Sequence, residues 1–201
     1  MSDATHTRDA VHATIDAHWR IEAARVIGAT LRVVHDLDLA EECAQDALLA
    51  ALEHWPFRGT PANPGAWLTA VAKRRALDLL RHGHTVRKAE ADVARELDFR
   101  HVVASEEFAD QVDAALDDDI GDDTLRLIFA ACHPLLSPEA RAALTLRVVG
   151  GLSTDEIARA FLKPEPTIAQ RIVRAKRTLS AAKVPFEVPR GAALRERLGS
   201  V

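Results

Sequence analysis

The chain is short of aromatic residues, at 4% of 201, and its nine glycines and nine prolines gather in a few clusters. Beside 48% apolar residues rich in alanine and leucine, that scarcity favours helices over strands. No stretch approaches the roughly 18 uninterrupted apolar residues of a membrane span. Residues 1–8 also lack the basic-then-apolar layout of a secretory signal, so a cytoplasmic protein with no membrane contact is expected. Cysteine is scarce as well. Cys43 and Cys132 lie far apart, neither in a CxxC pair, and read as small buried hydrophobes rather than as a disulfide. The nine histidines are scattered without a second ligand set at metal spacing, so neither a metal nor a cofactor is expected. Cys132-His133-Pro134 puts a thiol beside an imidazole, but adjacent helical residues point about 100° apart, and Pro134 reads as a helix stop. Nothing else offers a nucleophile with its base, and an enzyme is not expected.

What is present is charge, sorted by segment. The net charge is −4, yet residues 54–87 hold six basic residues against Asp78 alone, and residues 141–183 hold nine against three acidic. Residues 90–123 hold thirteen acidic residues and two basic. Two cationic modules joined by an anionic linker bind polyanions locally while the whole chain stays mildly acidic.

Periodicity at three to four residues predicts helices near Ala10–His35, Leu39–His54, Pro64–His82, Thr124–Cys132, Pro138–Val149, Ser153–Phe161 and Pro166–Ala182. The expected fold is all-α, with two small helical domains at 1–85 and 122–183. An acidic linker at 86–121, with a short helix around Ser105–Leu116, joins them, and a tail follows at 184–201. Between the second and third helices, WPFRGTPANP from Trp55 to Pro64 carries three prolines and a glycine, which reads as an ordered loop.

The clearest local motif begins at Gly151: GLSTDEIARAFLKPEPTIAQRIVRAKRTL. Ser153 and Glu156 form a capping box, Leu162-Lys163-Pro164 ends the short helix, and Pro166 suits the first turn of a second. On that second helix Ile168, Ile172, Ala175 and Leu179 make a buried stripe. Thr167, Gln170, Arg171, Arg174 and Arg177 line the opposite face, with Lys176 alongside, and no acidic residue appears between Thr167 and Lys183. A merely solvated face mixes signs to gain i, i+4 pairs, so a one-signed face implies an anionic partner. The motif reads as a helix-turn-helix whose arginines meet phosphates or guanine edges, with Gln170 in reach of an adenine edge.

The first half carries its own constellation. In LAEECAQDALLAALEHW, Cys43, Ala47, Ala51 and Trp55 form one stripe and Glu41, Glu42, Gln45 and Asp46 another, which Leu49 continues. An apolar residue beside an acidic patch suits docking on a basic protein surface, although a plain solvated face has the same stripe. The next helix, NPGAWLTAVAKRRALDLLR, turns Trp67, Leu68, Val71 and Leu79 inward and Lys73, Arg74 and Arg81 outward.

An acidic-Gln-Asp helix, a proline-glycine loop, the AWLxxxAxxxALDLLR helix, an acidic linker and a GLSxxEIA…TIAQRxxRAKRxL motif, in that order, resemble the extracytoplasmic-function (ECF) sigma factors of bacterial RNA polymerase. The resemblance covers about Trp19 to Lys183. LRLIFAACHPLLSPEARAALTLRVV from Leu125 and PFEVP at 185–189 resemble a subgroup that usually carries a regulatory carboxy-terminal extension. The resemblance implies a promoter-specificity subunit, with core RNA polymerase and promoter DNA as partners and an extension or an anti-sigma factor as regulator. It places Glu42, Gln45, Asp46 and Leu49 on the surface that docks on the polymerase. Arg58, Gly59, Thr60 and Asn63 fall on the loop that captures a flipped base of the minus-ten element. Lys73, Arg74, Arg75 and Arg81 fall on the helix that holds DNA around the melting point, although relatives often have asparagine where Arg74 stands. Thr167, Gln170, Arg171, Arg174 and Arg177 would read the minus-thirty-five element, and the acidic linker would occupy the polymerase's basic RNA-exit path. A dimeric helix-turn-helix regulator that binds a palindrome unaided is the rival reading.

Overall fold

The computed structural model describes residues 2–83 and 120–201, with side chains placed at 11–81 and 123–201. The expected acidic linker, with its helix at 105–116, lies almost wholly outside the described residues. Within them there are eight helices and no strand. The first half supplies α1 (Ser2–Val34), α2 (Leu37–Arg58) and α3 (Pro64–Gly83). The second supplies α4 (Ile120–Ala131), α5 (Pro138–Val148), α6 (Thr154–Phe161), α7 (Glu165–Ala181) and α8 (Gly191–Leu198).

Helices α1, α2 and α3 pack on one another as a three-helix unit. The turn from α1 to α2 takes two residues, His35 in the left-handed region and Asp36, whose carboxylate accepts from the N–H groups of Asp38 and Leu39 at 2.9 and 3.1 Å. That caps α2 through its own orphan donors. The stripe of Cys43, Ala47, Ala51 and Trp55 is buried as the periodicity requires, and its small side chains allow α2 to lie close to its neighbours.

The sequence places a loop from Trp55, but α2 continues through Pro56 to Arg58. Proline removes one backbone donor, and so close to a helix end the loss is a single bond. The Gly59 N–H donates to the Trp55 carbonyl at 2.9 Å and closes the last turn, with Gly59 at φ 83, a value glycine alone adopts without strain. The ordered loop therefore shrinks to residues 59–63. Asn63 ends it by accepting from the Ala66 N–H at 3.0 Å, ahead of Pro64 at the start of α3. Trp55 and Trp67 meet edge to face at 5.5 Å, and His18 packs on the edge of Trp55 at 6.2 Å, tying three helices together beside the loop.

In the second half, Leu127, Leu144, Val148, Ile157, Ile168 and Leu179 are fully buried and form the centre of the α4–α7 unit. Ser137 caps α5 by accepting from the Ala140 N–H at 3.3 Å. The halves are in contact. Helix α4 crosses α1 at Gly28, where an added Cβ would sit 2.5 Å from the Asp123 carbonyl oxygen. Asp123, 2% exposed, takes Arg32 of α1 at 3.3 Å and Arg126 of its own helix at 3.4 Å. Burial raises the Asp123 carboxyl above its ordinary value even though both guanidinium groups oppose the rise.

The crossing at Gly28 generates a prediction. Gly28→Ala gains about 1 kcal/mol of helix propensity but overpacks against a backbone atom that no rotamer change can move, a cost of about 1–3 kcal/mol. The expected net effect is a loss of up to about 2 kcal/mol, read by urea denaturation. An unchanged or higher midpoint would show that α4 does not bear on α1 in solution.

Candidate nucleic-acid interface

Helix α6 starts as its sequence dictates. Ser153 Oγ accepts from the Glu156 N–H at 3.2 Å, and Glu156 Oε2 accepts from the Ser153 N–H at 2.8 Å. Those bonds from the Ser153 backbone and hydroxyl hold the Glu156 carboxyl below the usual range. Leu162 ends α6 in the left-handed region at φ 52, its side chain 90% exposed, and its N–H donates to the Arg159 carbonyl at 3.2 Å. Pro164 then leads into α7, with Pro166 in the first turn.

On α7 the stripe of Ile168, Ile172, Ala175 and Leu179 is buried against the rest of the unit. Thr167, Gln170, Arg174 and Arg177 are exposed and Arg171 is half-buried. An open groove of about 350 Å³ runs beside them, with Ser137 and Ala140 on one wall and Gln170, Arg171 and Arg174 on the other. The arrangement presents guanidinium groups and one amide from a rigid helix, the donor set that suits phosphates and base edges.

Lys176 leaves this face. Its ammonium pairs with Glu41 and with Asp38 Oδ1, the latter at 2.8 Å, both on α2. The reason lies in its register: Lys176 is four residues after Ile172 and three before Leu179, so it borders the buried stripe. Burial alone would lower its ammonium, but Glu41 and Asp38 outweigh burial and hold it above the ordinary lysine value.

On α2, Glu42, Gln45 and Leu49 are exposed, Leu49 at 58%. Asp46 is half-buried and accepts from Arg75 Nε of α3 at 2.7 Å. Two residues placed by the sequence on different surfaces are thus one ion pair. Glu41, which the sequence reading grouped with that stripe and gave no partner, is 7% exposed and also faces Arg147 of α5 at 3.9 Å.

Gly59 and Thr60 are exposed in the loop, Arg58 closes α2 and Asn63 spends its side-chain oxygen on capping α3. Lys73 and Arg74 are half-buried rather than fully outward, and the Lys73 charge bears on Asp123 across the halves. Arg81 is exposed and lies 3.8 Å from Asp78.

The residues set aside as non-catalytic have structural roles. Cys132 Sγ lies 3.4 Å from the Thr145 hydroxyl, and His133 Nδ1 accepts from the Leu135 N–H at 3.2 Å. Burial, then Arg197, lowers the His133 imidazole. Burial, helped by Asp46 and Glu42, pushes the Cys43 thiol up to about 12, where it is inert as a nucleophile. Among the described residues no group of His, Cys, Asp and Glu has the arrangement of a metal site, and no helix is long and apolar enough to cross a membrane.

Residues 20–85 match the model of sigma-70 region 2, and residues 126–179 match that of sigma-70 region 4. The chain is 31% identical over 150 residues to the ECF RNA polymerase sigma factor SigL of Mycobacterium tuberculosis, covering 74% of this chain and 77% of that protein. The chain belongs to the extracytoplasmic-function sigma factors. In this sigma factor region 2 spans the second half of α1 and all of α2 and α3, and region 4 runs from the second half of α4 into α7. It is also 40% identical over 178 residues to an uncharacterized protein of Rhizobium meliloti (strain 1021). With the Probable ECF RNA polymerase sigma factor SigI of M. tuberculosis it shares 28% over 177 residues. Both alignments cover 88% of this sigma factor, but it spans only 40% and 58% of those two proteins' own lengths.

Two predictions follow from these contacts. Ser153→Ala removes the α6 cap and should cost about 1 kcal/mol, seen as a lower unfolding midpoint with helix content retained. The fold prefers neutral His133, so its contribution is complete above the free-histidine value of about 6.5 and is lost as pH falls through the lowered folded value. Between neutral pH and pH 5 the unmodified protein should therefore lose more stability than His133→Asn, and equal slopes in a denaturant series across that range would refute the assignment.

Proposed function

We propose that this sigma factor docks on core RNA polymerase and directs promoter-specific initiation, with no catalytic step of its own. The single observation that carries the reading is the outer face of α7. Thr167, Gln170, Arg174 and Arg177, with Arg171 at its edge, stand on a capped helix-turn-helix with no carboxylate among them. In this reading those residues contact the minus-thirty-five element, arginines on phosphates and guanine edges and Gln170 on an adenine edge.

Region 2 supplies the second contact. Arg58, Gly59, Thr60 and Asn63 form or flank the loop that takes a base flipped from the minus-ten element, and Lys73, Arg74, Arg75 and Arg81 lie on the helix that holds the separated backbone. Extruding a base costs a few kcal/mol, and a protein without ATP offsets that only through a pocket and cations on the strands. The exposed Glu42, Gln45 and Leu49, with Asp46, dock on the polymerase. The acidic linker occupies the RNA-exit path, and the protein acts in the cytoplasm.

The tail supports the subgroup that carries an extension, because it is seated on region 4. Arg197 donates to the Phe129 carbonyl at 2.6 Å, and Arg141 donates to the Ser200 carbonyl at 2.8 Å. Such an extension, or an anti-sigma factor, is the proposed regulator.

In-vitro transcription with core polymerase tests the assignment. Arg171→Ala and Arg174→Ala should each lower initiation by about 5- to 150-fold, the equivalent of 1–3 kcal/mol for a base or phosphate contact, with core binding unchanged. Asp46→Ala should mainly weaken core association, but it also releases Arg75, so Glu42→Ala and Leu49→Ala separate docking from that ion pair. Reversed phenotypes would refute the division of labour. Tight binding to a palindromic duplex without polymerase, and no promoter-specific initiation with it, would establish the dimeric regulator instead.

A further inference from the structure

The acidic amino-terminal end of α2 is already occupied by the recognition helix. Glu41, 7% exposed, takes Lys176 of α7 and faces Arg147 of α5 at 3.9 Å. Asp38 takes the same ammonium at 2.8 Å, and the Ser180 hydroxyl donates to Asp36 at 3.3 Å. Region 4 thus grips three carboxylates in the first turns of α2.

The position of those carboxylates gives the contact a consequence. At 100° per residue, Glu41, Gln45, Asp38, Leu49 and Glu42 fall in that order within an arc of about 100° on one helix. The exposed part of that arc is the face assigned above to polymerase docking. Region 4 therefore covers one end of it.

The closed arrangement also conflicts with the proposed promoter grip. Two elements named for positions thirty-five and ten lie about 25 base pairs apart, and at about 3.4 Å per pair that is roughly 85 Å of duplex. Helices α2 and α7 touch through the Lys176 pairs, so a chain in this state cannot hold both elements. The halves must part.

We propose that Glu41 is an intramolecular latch: Lys176 of the recognition helix holds part of the docking face closed in the unbound protein, and a basic helical surface of the polymerase competes for it. The partner's identity rests on the function proposed above, whereas the latch itself rests on the contacts. Parting the halves takes both Lys176 and Arg147 away from Glu41 and leaves its carboxylate to water, at the cost of both pairings. A partner that brings its own cation removes that cost. The second seam joins an ion pair to apolar packing: Arg32 meets Asp123 at 3.3 Å beside the close crossing at Gly28, the Lys73 charge lies near, and Leu127 of α4 is buried in the core that α1 lines. The charged contacts at the α2 end exchange partners more readily than that apolar core does.

Resonance energy transfer on the full chain tests the latch. Phe57 and Leu162, 81% and 90% exposed, accept cysteine and dyes, while the native Cys43 and Cys132 are buried. Lys176→Ala should lower transfer in the unbound protein, and Lys176→Arg should keep it high. Lys176 is not on the docking face, so Lys176→Ala should also associate with core polymerase about fivefold faster or more, measured by stopped flow. Far-UV circular dichroism checks that both variants retain their helices. Transfer unchanged by Lys176→Ala overturns the latch. Lower transfer with unchanged or slower association overturns the competition for the docking face. If the unmodified chain does not bind core polymerase at all, the proposed function fails, and the transfer arm still decides the latch.

Discussion

Helix α1 carries the packing on which both halves depend. Its Ile15, Val26 and Leu31 are buried in the same core that holds α2 and α3, and Gly28 on the same helix leaves room for α4 to cross at backbone distance. Because interiors are close-packed and respond to a single methylene, this helix couples two sequence units that have their own caps and buried stripes. The three-helix unit has a reason to exist without α4, since its own stripe of alanines, Cys43 and Trp55 closes against α1. The α4 crossing adds to it a glycine contact, a buried carboxylate and the apolar Leu127 and Ala131, which continue the same core.

Electrostatics explains why a chain of net charge −4 can present a cationic helix. Acidic and basic residues are kept apart along the sequence, and the fold then brings selected pairs back together. Asp123 receives Arg32, Asp46 receives Arg75, and Glu41 receives Lys176. Each pairing removes a cation or a carboxylate from the solvent-facing inventory. The outer face of α7 keeps its arginines because its register turns them away from every carboxylate on α2.

Much of this was legible in the sequence. The capping box, the α7 stripe and the α2 stripe appear where local chemistry and a 3.6-residue period require them, since both are decided within one turn or one helix. Helix α8 forms within the stretch that the sequence reading leaves as a tail. The misplaced features depend on groups distant in the chain or on helix-end energetics. Pro56 reads as a helix breaker, yet α2 runs through it to Arg58 and closes on the Gly59 N–H. Lys176 reads as part of the basic face until its register against Ile172 and Leu179 is weighed. The Asp46–Arg75 pair spans 29 positions and the Lys176–Asp38 pair 138, separations that periodicity cannot connect.

Gly59 shows how the loop after α2 is aimed. A Cβ added there would meet nothing within 4 Å, so crowding does not require the glycine, yet its φ of 83 lies where side chains are rarely found. Torsion rather than packing sets the direction in which residues 60–63 leave the helix. The aim of that loop is therefore adjustable independently of the core: a side chain at 59 would swing the segment as a boom swings on its mast, leaving the tryptophan pair beneath it undisturbed. Related chains are thus able to diverge in what the loop meets while keeping the same three-helix body.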